Sequence, residues 1–475
     1  MRKVKVVTVL SLMMSSLSFV SYPQTSAVHA PYKAPKNIIV MIGDGMGFNH
    51  LYSAMYYQYG TKLSPTLEKF NVKIAQSTYP AKTGGYPDNL QTSAGGYNPD
   101  LAWKSLSYLK EHFTDSGASA TALSTGVKVY NNSIGMEENK IELVHSGEIA
   151  KHLGKSVGIV TSVPISHATP AGFVAHNEHR KNYSDLSAEM FFESEVDVLI
   201  GCGNPEYDNN GNPITEGRDY KYVVDSLTWG KLQSGEKTFT YKENSYTVAD
   251  IDNDGVPDAW KVITSKQEFE ELSNAKSTPK RILGIPKVYE TLQIRRNGDL
   301  NSPAFTDSFN ANVPSLPTIA AAAINVLDEN PKGFFLMIEG GAIDWGGHAN
   351  SLGRTIEEAI DFEKTIQMVY NWVEKNSSWE ETLLIVTADH ETGLLWGEGT
   401  MDKNFVPVTN NGKNVMPGAK WFSDNHSNSL VPLFAKGAGS DMFTLMADEY
   451  DPVRGKFSSN SELGQVVKLL LLGIN

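Results

Sequence analysis

Five short apolar segments recur along the chain, and most of them end in Gly, Asp or Glu. They are NIIVMIGDG (37–45), SVGIVTSV (156–163), VDVLIGCG (196–203), GFFLMIEGG (333–341) and ETLLIVTADHETG (381–393). Unbroken runs of four to six apolar, often β-branched residues are typical of strands buried on both faces, as in a parallel sheet. The pattern therefore predicts a central sheet whose strands are largely parallel.

Helical patterns lie between these segments. SLPTIAAAAINVLDEN (315–330) and TIEEAIDFEKTIQMVYNWVEKN (355–376) repeat their apolar positions every three and four residues. Strands that alternate with helices predict an α/β fold in which helices cover both faces of the sheet. In such folds ligands bind beyond the carboxyl ends of the strands.

The first 30 residues differ from the rest of the chain. Three basic residues, Arg2, Lys3 and Lys5, precede an apolar run over 6–20, and the small-residue stretch SAVHA ends at Ala30. This pattern predicts a secretory signal peptide over 1–30 and a single mature domain over 31–475, exported to the periplasm or secreted. The alternative is an uncleaved membrane anchor, which the short, Ser-interrupted run disfavours.

Charge and cysteine content exclude some classes of protein. The chain has 41 Lys and Arg against 54 Asp and Glu, a formal net charge of −13, and no basic stripe. Nucleic acid is therefore not an expected partner. The single Cys202 excludes an internal disulfide, so an exported chain must be stable from its core and from bound metal.

Acidic residues and histidines stand at the ends of the predicted strands. Asp44, Glu339 and the pair Asp389-His390 follow three of them, and a lone strand-end Asp is commonly a turn or helix cap. In IEGGAIDWGGHAN, Asp344 and His348 are one helical turn apart and can share a cation. With the later His426, the set supplies four carboxylates and three imidazoles. Such ligands suit Zn²⁺ and Mg²⁺, and a two-metal site is the economical interpretation.

Several of these segments resemble the alkaline phosphatases of the alkaline phosphatase and sulfatase superfamily. The matching segments are IGDGMG, TDSGASATALSTGVK, HATPAGFVAHNEHR, EGGAIDWGGHAN, TADHETG and the segment around His426, in the family's order from about residue 36 to 440. The resemblance implies a hydrolase of small phosphomonoesters, with two zinc ions, one magnesium ion and a homodimeric assembly. Broad specificity is implied, because the matching groups grip phosphate rather than the alcohol.

The resemblance also implies roles for individual residues. Ser116 is the expected nucleophile, and small residues after it let a helix begin there, with free N–H groups toward phosphate. Judged alone, the segment is equally typical of a tightly packed, capped helix. Arg180 is expected to clamp two phosphate oxygens. The expected metal ligands are Asp44, Thr169 and Glu339 for magnesium, Asp44, Asp389 and His390 for the zinc at Ser116, and Asp344, His348 and His426 for the other zinc.

Two positions depart from the best-known bacterial pattern. His167 and Trp345 stand where that pattern has Asp and Lys, which leaves magnesium affinity and phosphate release open. His167 is predicted to support the ligands indirectly, with a hydrogen-bonded core histidine as the alternative. His176 and His179 are predicted to be structural or solvent-facing rather than ligands.

A polar segment over about 204–281 is predicted to be an insertion into the catalytic domain. Its DIDNDGVPDAW stretch places Asp250, Asp252 and Asp254 before Gly255, with Asp258 four residues further on. This spacing resembles a calcium loop, but Lys261 stands where an acidic twelfth residue is expected. The alternative is a plain acidic hairpin turn.

Two rival functions stay open. A phosphodiesterase or sulfatase belongs to the same superfamily, although GASA after Ser116 does not fit the C-x-P-x-R or S-x-P-x-R block of sulfatases. The rival from another class is a metal- or phosphate-binding protein without catalysis. Bound metal and phosphate without turnover would favour that rival.

Overall fold

An 11-stranded sheet forms the centre of the computed structural model, which describes residues 34–83 and 96–474. The predicted signal peptide lies outside the described residues. The strands of this sheet, in chain order, are β1 (Asn37–Gly43), β2 (Val72–Ser77), β3 (Ser156–Pro164), β4 (Val198–Cys202), β5 (Lys261–Ile263), β6 (Ile282–Gly284), β7 (Phe334–Gly340), β8 (Thr382–Thr387), β9 (Val431–Gly437), β10 (Glu449–Asp451) and β11 (Gly455–Ser459).

The spatial order of the strands is β10-β11-β2-β9-β8-β1-β7-β3-β4-β6-β5. From β8 to β5 every pairing is parallel, whereas β9 is antiparallel to both β8 and β2. All five segments that the apolar runs predict are strands of this parallel part. In β1 all seven residues are buried, and the register pairs Ile38 with Phe335 and with Leu383. The predicted α/β fold is confirmed.

Helices cover both faces of the sheet. One layer is packed by Leu51, Phe269, Ile319 and Ile360, and the other by Leu123, Ile149, Ala171 and Val467. The α-helices, in chain order, are α1 (Phe48–Tyr59), α2 (Pro99–Ala102), α3 (Leu106–Leu109), α4 (Ser116–Thr125), α5 (Ser146–His152), α6 (Ala168–Ala171), α7 (Tyr183–Ala188), α8 (Ser226–Gln233), α9 (Lys266–Ser273), α10 (Leu316–Leu327), α11 (Ala342–His348), α12 (Leu352–Asn376), α13 (Asp441–Met446) and α14 (Asn460–Leu472).

Both helices that the apolar periodicity predicts are present, as α10 and α12. Short 3₁₀ turns occur at Leu67–Lys69, Glu138–Lys140 and Lys221–Val223, and a π-turn at Glu189–Glu193. Short strand pairs join Met136–Glu137 to Ile141–Glu142, Thr238–Tyr241 to Asn244–Thr247, Glu391–Thr392 to His426–Ser427, and Leu395–Trp396 to Lys420–Trp421. Within the described ranges, no helix combines the length and the apolar composition that a membrane crossing requires.

The polar segment over 204–281 contributes to the main sheet as well as to the surface. Its strand β5 pairs in parallel with β6 at the edge of the sheet, and its helix α9 packs in the same layer as α10. The hairpin of Thr238–Tyr241 and Asn244–Thr247 pairs only with itself. The segment therefore extends the sheet by one strand and adds a surface hairpin.

Parallel strands place their carboxyl ends at one edge of the sheet, and the predicted site residues lie there. Asp44 follows β1, Glu339 is the next-to-last residue of β7, and Asp389 lies two residues after β8. The loop after β1 runs close to α11: Gly45 has φ of 70°, and a Cβ atom there would lie 2.7 Å from the Asp344 Cα. Glycine at position 45 therefore lets two of the acidic segments meet.

Candidate active site and metal centre

Ser116 is the first residue of α4, at the helix end where backbone N–H groups are free. Asp115 caps this helix by accepting hydrogen bonds from the N–H groups of Gly117 and Ala118, both at 3.1 Å. The Ser116 side chain is almost fully buried, and its Oγ lies 3.2 Å from Nε2 of His390. The helix therefore presents one hydroxyl at its positive end, where a negatively charged ligand is favoured.

Arg180 is held next to this hydroxyl by the same capping residue. Its Nη1 donates a hydrogen bond of 2.7 Å to Asp115 Oδ2. Burial alone would raise the pKa of Asp115, but the Arg180 charge and the N–H of Asn132 bring it below its ordinary value. Asp115 is therefore ionised at neutral pH, and it orients both the helix end and the guanidinium.

The three proposed ligands Asp344, His348 and His426 meet beyond α11. The Nε2 atoms of His348 and His426 are 3.1 Å apart, and each lies within 3.5 Å of Asp344 Oδ1. Each ring uses its Nδ1 on a backbone carbonyl, that of Asp424 for His348 and that of Thr114 for His426. Since a carbonyl can only accept, Nδ1 carries a proton in each ring, and the neutral form of each ring would have its lone pair on Nε2.

A single hydroxyl joins this group to His390. Thr392 Oγ1 donates a 2.5 Å hydrogen bond to Asp344 Oδ1 and lies 3.2 Å from His390 Nδ1. The single proton of this hydroxyl is donated in the hydrogen bond to the ionised Asp344, so the hydroxyl oxygen must accept a hydrogen bond from His390 Nδ1. Burial and the neighbouring histidines lower the pKa of His390 well below its ordinary value, so the ring is neutral. His390 therefore also directs a lone pair on Nε2 at the site, toward Ser116.

Buried carboxylates form the other half of the site. Asp44, Glu339 and Asp389 are at most 1% exposed, and one oxygen of each has no hydrogen-bond partner in the described part of the chain. Thr169 Oγ1 lies 3.3 Å from Asp44 Oδ2, and Thr161 donates to Glu339 Oε2. Burial and the neighbouring negative charges raise the pKa of Asp44 and of Asp389. The carboxylates are therefore close together with too few protein donors.

This donor set fits divalent cations. Asp44, Asp389 and His390 form one group whose candidate ligand atoms all lie within 4.8 Å of one another, and Asp344, His390 and His426 form a second. Unpartnered carboxylate oxygens and inward-facing ring lone pairs repel one another without a positive charge between them. Mixed nitrogen and oxygen donors suit zinc, and the oxygen-rich group at Asp44, Thr169 and Glu339 suits magnesium.

The family model for alkaline phosphatase matches residues 35–418. The chain belongs to the alkaline phosphatase family. The matched range contains every site residue that the sequence predicts except His426, which lies 3.5 Å from Asp344 all the same.

Named alkaline phosphatases are similar to this chain over most of its length. Alkaline phosphatase 4 of Bacillus subtilis is 31% identical over 360 residues, which is 75% of this chain and 62% of the relative. Alkaline phosphatase 3 of the same organism is 30% identical over 81% of this chain and 67% of its own length. The alkaline phosphatase of Escherichia coli is 28% identical over 75% of this chain and 70% of its own. The chain thus spans 62% of the length of the first of these relatives and 67% of the second.

Solved alkaline phosphatases share the fold. The structure of the enzyme from the Antarctic bacterium TAB5 superposes with a TM-score of 0.61 and 24% identity, covering 93% of this chain and all of that one. The Thermus thermophilus enzyme gives 0.61 at 19% identity, with 96% of each chain covered. A variant of the TAB5 enzyme is described with Mg bound in its M3 site.

The two positions that depart from the common bacterial alkaline phosphatase pattern lie against each other. The His167 ring is 5.8 Å from the Trp345 ring and stacks on Tyr183 at 6.1 Å. Burial and the Arg180 charge lower the pKa of His167 to about 3, and its Nδ1 has no hydrogen-bond partner in the described ranges. A supporting role through its neighbours therefore stays a prediction, and the alternative of a hydrogen-bonded core histidine has no hydrogen bond at Nδ1 to support it.

The His176 ring is engaged by partners other than the expected metal ligands. Its Nδ1 lies 3.0 Å from Glu189 Oε1 and its Nε2 lies 2.8 Å from the Leu143 carbonyl. Both nitrogens thus face acceptors, which suits a protonated ring, and the Glu189 contact raises the pKa of His176 although burial opposes it. His179 Nδ1 accepts from the N–H of Lys181. Neither ring supplies a free lone pair to the metal centre.

The acidic loop lies apart from the active site. Asp250, Asp252 and Asp254 bring their carboxylates within 4.8 Å of one another. Lys280 contacts Asp252, lies 3.5 Å from Asp254 and donates to Asp258 at 2.9 Å. An ammonium group therefore balances the loop in this structure, and calcium binding stays a prediction.

Three supporting residues escaped the sequence reasoning. Asp115 caps the helix of Ser116 and holds Arg180. Thr161 donates to Glu339, and Thr392 contacts both Asp344 and His390. Asp115 and Thr392 lie inside the quoted motifs, so the motif itself was a signal for them. Thr161 lies within a buried strand, where an isolated Thr carries no pattern that separates it from ordinary strand residues.

Proposed function

We propose that this chain hydrolyses phosphomonoesters through a phosphoserine on Ser116, at a centre of two zinc ions and one magnesium ion. Family membership supports an enzyme that hydrolyses phosphomonoesters. The observation that carries this proposal is the meeting of a capped helix N-terminus, Arg180 and five candidate metal-ligating side chains near one hydroxyl.

The proposed ligands follow the three groups of side chains. Asp44, Asp389 and His390 would hold the zinc next to Ser116, and Asp44, Thr169 and Glu339 would hold the magnesium. The remaining zinc would take the other three ligands, which are Asp344, His348 and His426. When bound, these ions supply positive charge that favours an ionised serine oxygen and an ionised leaving alcohol.

The chain's own groups carry the rest of the reaction. The Arg180 fork and the N–H of Ser116, which Asp115 does not cap, bind the phosphoryl oxygens and place phosphorus opposite Ser116 Oγ. The Ser116 oxygen forms a bond to phosphorus while the ester P–O bond breaks and the alcohol leaves with a proton. Water then forms the second bond to phosphorus, the Ser116 ester bond breaks, and inorganic phosphate is released. Two in-line displacements predict overall retention of configuration at phosphorus.

The decisive experiment measures release of p-nitrophenol from its phosphate monoester at alkaline pH by the chain from residue 31. The protein is assayed untreated, after chelation, and after chelation followed by Zn²⁺ and Mg²⁺. We expect activity to vanish with chelator, to return with both ions, and to fall at least about a thousandfold in Ser116→Ala. Ser124→Ala, a buried serine of the same helix whose Oγ donates to the Gly172 carbonyl, is the matched control.

The rival functions give different results in the same assay. Faster turnover of bis-p-nitrophenyl phosphate or of p-nitrophenyl sulfate than of the monoester would favour a diesterase or a sulfatase. Bound zinc and phosphate without turnover of any of the three would favour a binding protein, and both results contradict the proposal.

We also propose that the enzyme is exported and acts as a homodimer. Export rests on the predicted signal peptide, and it is tested by fractionating the host cells and determining the N-terminus, which we expect at Pro31. The dimer rests on the family resemblance alone. Light scattering at defined protein concentration tests it, and a mass of one chain would contradict it.

A further inference from the structure

A cavity of about 340 Å³ lies beside helix α12, and none of its lining residues belongs to the candidate active site. Its walls come from α9, α10, α12 and the loop over 305–313. The volume is within the range of small-molecule sites in proteins. The question is which chemistry this cavity would accept.

Glu358 of α12 lines the cavity and has no partner for one of its oxygens. The residue is 8% exposed, and its Oε1 makes no hydrogen bond within the described part of the chain. Burial and the charges of Asp361 and Glu357 raise its pKa to about 8. An unpaired buried carboxyl group is costly, so its retention on a cavity wall needs an explanation.

Two neighbouring acids of the wall, Glu357 and Asp361, already have hydrogen-bond partners. Glu357 contacts Arg296 at 2.8 Å, and its Oε1 accepts from the N–H of Phe305 at 2.6 Å. Asp361 Oδ2 accepts from the N–H of Leu316 at 3.0 Å.

The lysines and arginines near Glu358 form no ion pair with it in the described ranges, although the charges of Arg296 and Arg354 oppose the rise in its pKa. Lys266 donates to the Ala311 carbonyl, and the Lys364 charge acts on Asp361. Arg354 contacts Asp307 at 2.7 Å, and it lies 3.6 Å from Glu357, the residue that also pairs with Arg296. Glu358 is thus the lining residue whose buried carboxyl oxygen has no hydrogen-bond partner in the described part of the chain.

Two aromatic rings complete the wall. Phe305 and Phe309 line the cavity with their ring centroids 5.9 Å apart, and they are 41% and 43% exposed. The Arg296 guanidinium lies 4.2 Å from the Phe309 ring centre, so this ring already accepts one cation. Aromatic rings that line the same cavity as a carboxyl group are a combination that favours organic cations.

We propose that this cavity binds a small organic ammonium ion, with its charge at Glu358 and its carbon atoms against Phe305 and Phe309. A divalent metal fits less well, because Ca²⁺ takes six to eight oxygen ligands and Mg²⁺ an octahedron. Both oxygens of Glu357 and one oxygen of Asp361 already accept from an arginine or from N–H groups. An ammonium ion needs only one charged acceptor, and its presence would favour the ionised form of Glu358.

The test uses isothermal titration calorimetry on the metal-loaded full chain. The probes are n-butylammonium chloride and tetramethylammonium chloride, with 1-butanol as the uncharged analogue and CaCl₂ as the metal. The variants are Glu358→Gln and Phe309→Leu. Glu363→Gln is the matched control, because Glu363 is a buried carboxyl group of the same helix that already accepts from the Tyr59 hydroxyl at 2.8 Å.

We expect saturable binding of at least one ammonium probe by the unmodified chain and by Glu363→Gln. Binding should weaken at least about tenfold in Glu358→Gln, since a charge-assisted contact is lost, and several-fold in Phe309→Leu. Far-UV circular dichroism and monoester turnover should be unchanged in Glu358→Gln, which shows that the fold is intact.

Four results would overturn the proposal. They are no saturable binding of either ammonium probe, equal affinity in Glu358→Gln, equal affinity for 1-butanol, and binding of calcium in place of the ammonium ions.

Discussion

Replacing Thr392 by valine removes one hydroxyl on which two proposed zinc ligands depend. Val has nearly the same shape, so the cavity is conserved, but Asp344 loses its 2.5 Å hydrogen bond and His390 loses the acceptor that fixes its Nδ1 proton. Thr392 is fully buried, so water does not readily replace the hydroxyl. A hydrogen bond to a charged group contributes about 1.5–3 kcal/mol, and supporting partners of metal ligands change metal affinity about 10–100-fold.

The assay is a zinc titration against a fluorescent chelator, followed by monoester turnover at each free zinc concentration. We expect Thr392→Val to need about 10–100-fold more free zinc for half of its maximal activity, and to regain most of that maximum at saturating zinc. Thr392→Ser keeps the hydroxyl and should titrate within a few-fold of the unmodified enzyme. Unchanged zinc dependence in the valine variant would refute the reasoning, and so would a serine variant as weak as valine.

Three further predictions follow from contacts around and outside the centre. Asp115→Asn keeps a cap on α4 but removes the charge that holds Arg180, so KM and the Ki for phosphate should rise about 3–30-fold in steady-state assays; unchanged values would contradict this. Burial alone would raise the pKa of Glu148, but the His145 ring 3.3 Å from its Oε2 and the His145 N–H, which donates to that oxygen at 2.9 Å, lower it to about 2 from an ordinary 4.5. Its contribution to stability is complete above pH 4.5 and is lost as the pH falls toward 2, so Glu148→Gln should cost about 1–3 kcal/mol in urea unfolding at pH 7 and should flatten the loss of stability below pH 4.5. The enzyme is treated with chelator and then restored with zinc and magnesium, and calcium should then raise its Tm. We expect no rise in Asp252→Asn, and tighter calcium binding in Lys280→Gln because the competing ammonium is removed. A Tm that does not change with calcium would instead indicate an acidic turn balanced by the lysine.

The sequence predicts the parallel part of the sheet because burial on both faces leaves an unambiguous apolar run. β1, β7 and β8 show this best, and the same rule places their acidic ends at one edge. The edge strand β5 was not predicted, since Lys261–Ile263 is short and partly exposed. Its position depends on pairing with β6, which is a long-range contact that local pattern does not encode.

The candidate site was predictable as a set of ligands but not as a network. Asp344 and His348 share a helical turn, and that spacing is visible in the sequence. The tautomer of each imidazole is set by backbone carbonyls and one hydroxyl from other segments, such as that of Asp424 behind His348. For Glu358 the sequence pattern predicts the wrong environment. In EEAIDFEK an acidic residue is typical of a solvated helix face, whereas tertiary packing buries it.

The arrangement around Ser116 explains why small residues follow it. Ala120 of α4 lies against Gly172 at the end of α6, where an added Cβ would come within 2.7 Å of the Ala120 Cβ, and Ala122 contacts Gly464 of α14 in the same way. Two helices thus hold α4 at close range from opposite sides, so the position of its N-terminus is fixed by packing rather than by flexible loops. The proposed nucleophile depends on an oriented helix N-terminus and on proposed metal ligands from several strands, and it needs that rigidity. One oxygen of each of Asp44, Glu339 and Asp389 is buried in this packing without a hydrogen-bond partner among the described residues, so the feature that positions Ser116 also creates the demand for cations.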